Sequence, residues 1–342
     1  MRKEKWVNDV RAIACIMVAL GHLLVGLAEI LPDAGYFWSW LIGSLYLVHV
    51  QLFFFCSGYL RQKKNNTSKE YPGMVVNKLL NLGIPYMVFV SATYLLKVVF
   101  SNYVNSEIHD SYWHAVFVLP PNQMWFLFVL IVCFLITPFC MKNTIQMLGM
   151  LTAGILGLVL YHYLGDTQSV YLKIFNFYIW FVLGMAYGFL KDRMPVIQKN
   201  IWILFVFIFE TIIYIFYWQN IVMGTIATVF GIFSVVSICQ NQLKDHSVRL
   251  LSVIAKYMLQ IYLLHTYFAA GIRTVLLRVG CTNAWIHFIL AMIGSLAGPV
   301  MVGYICEKTV LMNIIFAPVK TIEIINKKRD IRKSDIDNCA GI

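Results

Sequence analysis

A chain of 342 residues is long enough for two soluble domains, but 60% hydrophobic residues, 13% charged residues and a mean hydropathy of +0.73 exclude an ordinary soluble protein. A net charge of +11 invites a nucleic-acid reading, yet the basic residues sit in short stretches between apolar runs, as the positive-inside rule requires of a membrane protein. The composition therefore points to an all-α polytopic membrane protein whose surroundings are the lipid bilayer, with no nucleic-acid partner.

Apolar runs recur at about 7–30, 38–60, 79–100, 123–140, 145–163, 171–190, 201–218, 221–239, 251–272 and 283–306, lengths that suit a hydrocarbon core of about 30 Å. Most lysines and arginines fall on the side that also holds the N-terminus, so about ten spans are expected, with both termini cytoplasmic. No polar block is long enough for a separate domain. Residues 1–342 read as one membrane domain with a basic tail from about 308, suited to anionic lipid headgroups. The first run lacks a small-residue cleavage site and reads as a retained helix.

That first span, WVNDVRAIACIMVALGH in part, carries Arg11 and His22 in an otherwise apolar stretch. Eleven residues of helix turn through about 1100°, which leaves the two side chains about 20° from eclipsed and about 16 Å apart along the axis. One can sit at the membrane surface and the other near the midplane. Ionisable groups inside a membrane are costly and tend to line functional paths; the plain alternatives are a snorkelling arginine and a histidine bonded to a neighbouring helix.

Span two ends in HVQLFFFCSGYL and puts His49 about 16 Å from its outer end, at a depth similar to that of His22. Ser57 and Gly58 read as close helix packing or a turn. After a polar connector, Lys78 opens span three, where Gly83 and Pro85 loosen the helix and leave backbone amides and a lysine to receive phosphate. The external stretch from about 101 to 122 leads into PPNQMWFLFVL. Trp113 and Trp125 read either as an interfacial belt or as platforms for sugar, with the amides of Asn122 and Gln123 meeting hydroxyls. Glu210 is a further acid in an apolar run, placed to orient a histidine or bond a tyrosine. Span nine reads MLQIYLLHTYF, with His265 near the depth of His22, and span ten, with Gly294, Gly298, Pro299 and Gly303, reads as a small-residue packing helix. Six of eight cysteines lie in or at the ends of apolar runs and read as fillers; no ligand spacing for a metal occurs.

An arginine at the cytoplasmic rim and a histidine deeper on the same face suit an anionic carrier that delivers a group to His22. Arginine is the preferred fork for phosphate, and neutral histidine the usual proton acceptor near neutral pH. His22 would deprotonate an acceptor hydroxyl as it attacks a thioester carbonyl, or itself carry the acyl group.

These strings resemble the acyltransferase-3 family of integral membrane acyltransferases. The family signature, a basic residue, ten residues and a histidine, is matched by Arg11 and His22; HVQLFFFCSGYL is similar to a string of the sugar O-acetylase branch, and NQMWFL and IYLLHTYF to two others. The resemblance implies that His22 is catalytic, with His49 functional beside it, and that Arg11 binds the phosphates of CoA. Two departures stand out: the acid usually found three residues before the arginine is Asn8 here, with Asp9 one step along, and Asn81 follows Lys78 where a second basic residue is common.

The resulting expectation is a plasma-membrane O-acetyltransferase that moves acetyl from cytoplasmic acetyl-CoA, a co-substrate and not a tightly bound cofactor, to a hydroxyl of a capsule or exopolysaccharide or its lipid-linked precursor. Arg11 and Lys78 hold the donor, His22 and His49 act on it, and Trp125, Asn122, Gln123 and His265 meet the acceptor. A homo-oligomer is compatible with the sequence. The rival is a transporter or flippase for a glycan or small anion, with Arg11, His22 and Glu210 as its path. A third reading is a scaffold for polysaccharide assembly, to which Arg11 and His22 would be indifferent.

Overall fold

The computed structural model describes residues 4–28, 35–64, 70–99, 111–165, 169–191, 209, 221–244, 246, 248–327 and 329. Among them the chain is helical, with no strand: α1 (Lys5–Ala28), α2 (Gly35–Lys64), α3 (Tyr71–Lys78), α4 (Ile84–Val99), α5 (Tyr112–Phe117), α6 (Trp125–Leu135), α7 (Thr144–Leu164), α8 (Val170–Leu190), α9 (Ile221–Ser237), α10 (Arg249–Lys256), α11 (Met258–Arg278), α12 (Ala284–Glu307) and α13 (Val310–Phe316), followed by a helical stretch over 318–327. Among the described residues, seven helical segments are long and apolar enough to cross a membrane. With no water in the hydrocarbon to satisfy backbone groups, helices that bond internally are the structures such apolar segments can adopt singly.

Three of the ten expected spans have no counterpart among these seven. The run at 201–218 lies outside the described residues apart from Phe209. The run at 123–140 is helical only over Asn122–Leu135, and it stops short of Pro138, which disfavours helical geometry in the residue before it. The run at 251–272 is divided at Tyr257, whose φ of −104° and ψ of 22° leave the helical region. Gln260, His265 and Arg273 make the longer piece, α11, less apolar than the seven. Span three begins earlier than expected, at Tyr71, and passes through a π-turn at Leu79–Gly83 before Pro85. A π-turn next to a proline absorbs the missing N–H and the ring without ending the helix.

The residues fall into two compact units. One comprises 1–65 and 139–301, the other 66–138 and 302–342. In the first, α2 and α8 approach closely enough that backbone meets backbone. A Cβ on Gly58 would stand 1.8 Å from the Phe181 carbonyl oxygen, and one on Gly184 would stand 1.9 Å from that of Phe55. Gly184 and Gly188 form a small-xxx-small pair, the pattern that allows such crossings inside a membrane, where van der Waals contact replaces the hydrophobic effect as the force between helices. Gly58 is thus a packing residue, as its place beside Ser57 led one to expect. The glycines of α12 do similar work: Gly294 makes room for Ile272 and Gly298 for Phe268, both on α11.

Arg61 departs from the expected pattern of exposed connector charges. It is 1% exposed, and its Nη1 donates to Cys140 Sγ at 2.9 Å. Next to it Gln62 exchanges two 2.8 Å hydrogen bonds with the backbone of Met141. The end of α2 therefore serves as an anchor for the segment around Cys140. At the start of α1 the Glu4 carboxylate accepts from Tyr59 Oη of α2, from Trp6 Nε1 at 2.5 Å and from Lys191 Nζ at 3.1 Å. Burial pushes this carboxyl up, but the bonds from Tyr59, Lys191 and Trp6 outweigh it and hold the group below its ordinary value of 4.5. A depressed carboxylate pKa stabilises the fold above the unfolded value and stops doing so as pH falls through the folded one. Wild type is therefore expected to melt above Glu4→Gln at pH 6–7, and the gap to close as pH drops below 4.5; a constant gap in thermal unfolding across that range would remove the carboxylate from the explanation.

In the second unit, Tyr71 Oη donates to the Leu135 carbonyl at 2.7 Å, Tyr86 Oη to that of Val116, and the Val319 N–H to Asn81 Oδ1 at 3.4 Å. Asn81, which follows Lys78 in the place of a second basic residue, is thus occupied in holding the stretch at 318–327.

Candidate active site

Helix α1 packs against α2, α10 and α11, and its two ionisable side chains are found at these contacts. Arg11 is half-buried, one helical turn before Cys15 on α1. Among the described residues its guanidinium has no carboxylate partner: Asp9, the displaced acid, instead takes Lys5 Nζ at 2.6 Å. A cation held in an apolar helix contact without an anion is expensive unless a ligand supplies one.

Three turns along, His22 stands 5.3 Å from His265 of α11 and 6.1 Å from Tyr46 of α2, measured between ring centroids. Tyr46 in turn is 4.7 Å from His49, edge to face. Three histidines that the sequence put at similar depths on separate helices are therefore gathered in one cluster, with Tyr46 between two of them. Gly21 makes this possible, since a Cβ there would meet the Tyr46 ring at 3.2 Å.

The outer two imidazoles are fixed by their own helices. His49 Nδ1 lies 2.6 Å from the Leu45 carbonyl oxygen. His265 Nδ1 lies 2.9 Å from the carbonyl oxygens of both Ile261 and Tyr262. A carbonyl oxygen only accepts, so each of these nitrogens must carry the proton, and each Nε2 is left as a bare lone pair. His22 is different. It forms no hydrogen bond among the described residues, and it is half-buried, whereas His49 and His265 are 3% and 1% exposed. His22 is thus the member of the cluster whose ring nitrogens are uncommitted among the described residues.

The other expected site residues belong to the second unit. Lys78 closes α3 directly before the π-turn, and its ammonium lies 4.2 Å from the centre of the Phe134 ring. Asn122 begins a short 3₁₀ turn and adopts φ of 53°, a left-handed conformation that asparagine tolerates better than most residues. Gln123 is buried, Asn122 is exposed, and Trp125 is half-buried at the start of α6. Trp113 is 63% exposed and stacks on Phe117. Glu210 lies outside the described residues.

Sequence reasoning did not single out Tyr46 or Arg61. Tyr46 is three residues before His49, hence on the same face of α2, and that spacing was the available signal. Nothing in the local sequence marks Arg61 as buried, since it closes an apolar run ahead of two lysines. Where α1 ends, Arg273 Nη1 donates to the Gly26 carbonyl at 2.8 Å, a cation on the C-terminal carbonyls of that helix.

Residues 4–304 match the family model described as an acyltransferase domain. No curated protein and no solved structure gives a match. A model that spans nearly the whole chain, on a scaffold of helices able to cross a membrane, settles the general assignment: the chain belongs to the acyltransferase-3 family and is a membrane acyltransferase.

Proposed function

We propose that the protein is an O-acetyltransferase of the plasma membrane that moves acetyl from cytoplasmic acetyl-CoA to a hydroxyl of a surface polysaccharide or its lipid-linked precursor. The observation that carries this reading is the isolation of His22, an imidazole with no hydrogen bond among the described residues, clustered with two others whose protons are tied to backbone. In this mechanism His22 takes the proton of the acceptor hydroxyl as its oxygen attacks the thioester carbonyl. The carbon–sulfur bond then breaks, the sulfur leaves as thiolate and takes the proton from the imidazolium, and CoA departs as free thiol. An acyl-histidine route differs in releasing CoA before any acceptor arrives. His49 assists from its place beside Tyr46.

Arg11, with no carboxylate partner among the described residues, takes the donor's phosphates. Lys78 supplies a second phosphate contact, as the family resemblance implies. In the acceptor role, Trp125, Asn122 and Gln123 offer an aromatic face and amides. The protein crosses the bilayer ten times with both termini in the cytoplasm, and its basic tail meets anionic headgroups.

The direct experiment supplies purified protein in vesicles with labelled acetyl-CoA and the surface glycan of its host. Label appearing on glycan together with stoichiometric free CoA supports the reading; movement of glycan across the vesicle with no CoA released supports transport and overturns it. Arg11→Gln is expected to raise KM for acetyl-CoA about 10- to 100-fold with a smaller change in kcat, because a phosphate contact far from the reacting atoms contributes uniform binding. An unchanged KM would take Arg11 out of the donor site.

A further inference from the structure

His265 is the least exposed of the three clustered imidazoles, and one of its nitrogens is unused. Its Nδ1 is committed to the carbonyls of Ile261 and Tyr262, while Nε2 is buried and has no hydrogen-bond partner among the described residues. A buried acceptor left bare costs about 1–3 kcal/mol, so such groups usually have a purpose or a partner that arrives later. The ring edge that carries Nε2 faces away from α11's own backbone, and the neighbouring ring is that of His22, at 5.3 Å between centroids with 44° between planes. An N–H···N bond of about 2.9 Å between two imidazoles sets their centroids about 5 Å apart. The observed separation of 5.3 Å suits such a bond.

We infer that His265 is the positioning residue of His22: its backbone-locked Nε2 lone pair accepts the N–H of His22 and so keeps the other His22 nitrogen free of a proton and turned toward the acceptor hydroxyl. The role rests on the proposed use of His22 as the base, and it replaces the acceptor contact expected of His265 from sequence. The physical logic is that of any base held by an orienting acceptor. Fixing one N–H selects the tautomer, and the same acceptor stabilises the imidazolium formed when the hydroxyl gives up its proton. His49, locked in the same tautomer, is separated from His22 by Tyr46, which leaves His265 as the direct neighbour. No bond to carbon forms or breaks at His265; one proton stays on its Nδ1 throughout.

The test compares His265→Phe, which keeps the volume and removes the acceptor, with His265→Gln, whose amide oxygen reaches the position of Nε2. His265→Phe is expected to lose about 100-fold in kcat with KM for acetyl-CoA little changed, and His265→Gln to recover to within about tenfold of wild type. Equal losses in the two variants, or a loss confined to KM, overturn the inference. Should either substitution fail to yield folded protein, ¹⁵N-histidine spectra of the wild type decide: His265 must show a protonated Nδ1 and a bare or hydrogen-bond-accepting Nε2, and an Nε2–H tautomer overturns the role. His22→Gln runs alongside. If it is inactive while His265→Phe is normal, only the positioning role falls; if it is active, the proposed base falls and the positioning role with it.

Discussion

Replacing His22 by glutamine is expected to lower acyl transfer by at least about 1000-fold while leaving the thermal stability of the protein within a few degrees of wild type. The magnitude follows from the step the imidazole performs. General-base catalysis is worth about 10²–10⁴ in rate, and an acyl carrier that is removed leaves no route at all. Glutamine has similar volume, so Tyr46 and His265 keep a neighbour at 6.1 and 5.3 Å and no cavity opens in the α1 contact. His22 makes no hydrogen bond among the described residues, and the glutamine amide can donate to His265 Nε2 in its place, so the fold has little reason to weaken. The two effects separate cleanly in practice: labelled-acetyl transfer reads the first and a melting curve reads the second. A His22→Gln variant that melts normally and transfers acetyl at the wild-type rate would end the histidine mechanism, whichever of its two routes is preferred. A pre-steady-state burst of CoA in the absence of acceptor, present in wild type and lost in the variant, identifies the acyl-histidine route; no burst in either identifies the direct one.

Among the described glycines, Gly58→Ala is expected to have the largest effect on stability, with Gly184→Ala close behind. At 1.8 and 1.9 Å the new carbons would overlap the backbone oxygens of Phe181 and Phe55, and neither oxygen belongs to a side chain that can rotate away. The helices must separate, which strips contacts along the whole α2–α8 interface. Overpacking a well-fitted core costs about 1–3 kcal/mol, and more where backbone has to move. Loss of most folded protein from detergent extracts is therefore expected for either variant. Gly149→Ala provides the control, because a Cβ there meets nothing within 4 Å and an alanine in the body of α7 improves helix propensity by about 0.5–1 kcal/mol. If Gly58→Ala and Gly149→Ala melt together, the close crossing of α2 and α8 is wrong. The crossing also matters for chemistry, since α2 is the helix that carries Tyr46, His49 and Cys56 to α1.

Much of this protein is legible along the chain because the governing physics is local. Twenty apolar residues in a row must bond their own backbone when surrounded by hydrocarbon, so helix and membrane follow together from hydropathy. The angle between Arg11 and His22 is likewise arithmetic within one helix, and Gly83 with Pro85 announces an irregular turn that appears at Leu79–Gly83. The break at Tyr257 and the early end of α6 were less visible, because a run of apolar residues has no internal mark of where its helix divides. What tertiary structure alone decided is which helices touch and through which atoms. The depth estimates brought His22, His49 and His265 to a common level but left their azimuths open; the 5.3 Å approach of His265, and the intervention of Tyr46 before His49, depend on how α1, α2 and α11 rotate against one another. The same holds for Arg61, whose burial against Cys140 is made by a residue 79 positions away. Within a membrane the packing of small residues sets those rotations, and a glycine's neighbours across an interface are not written in its neighbours along the chain.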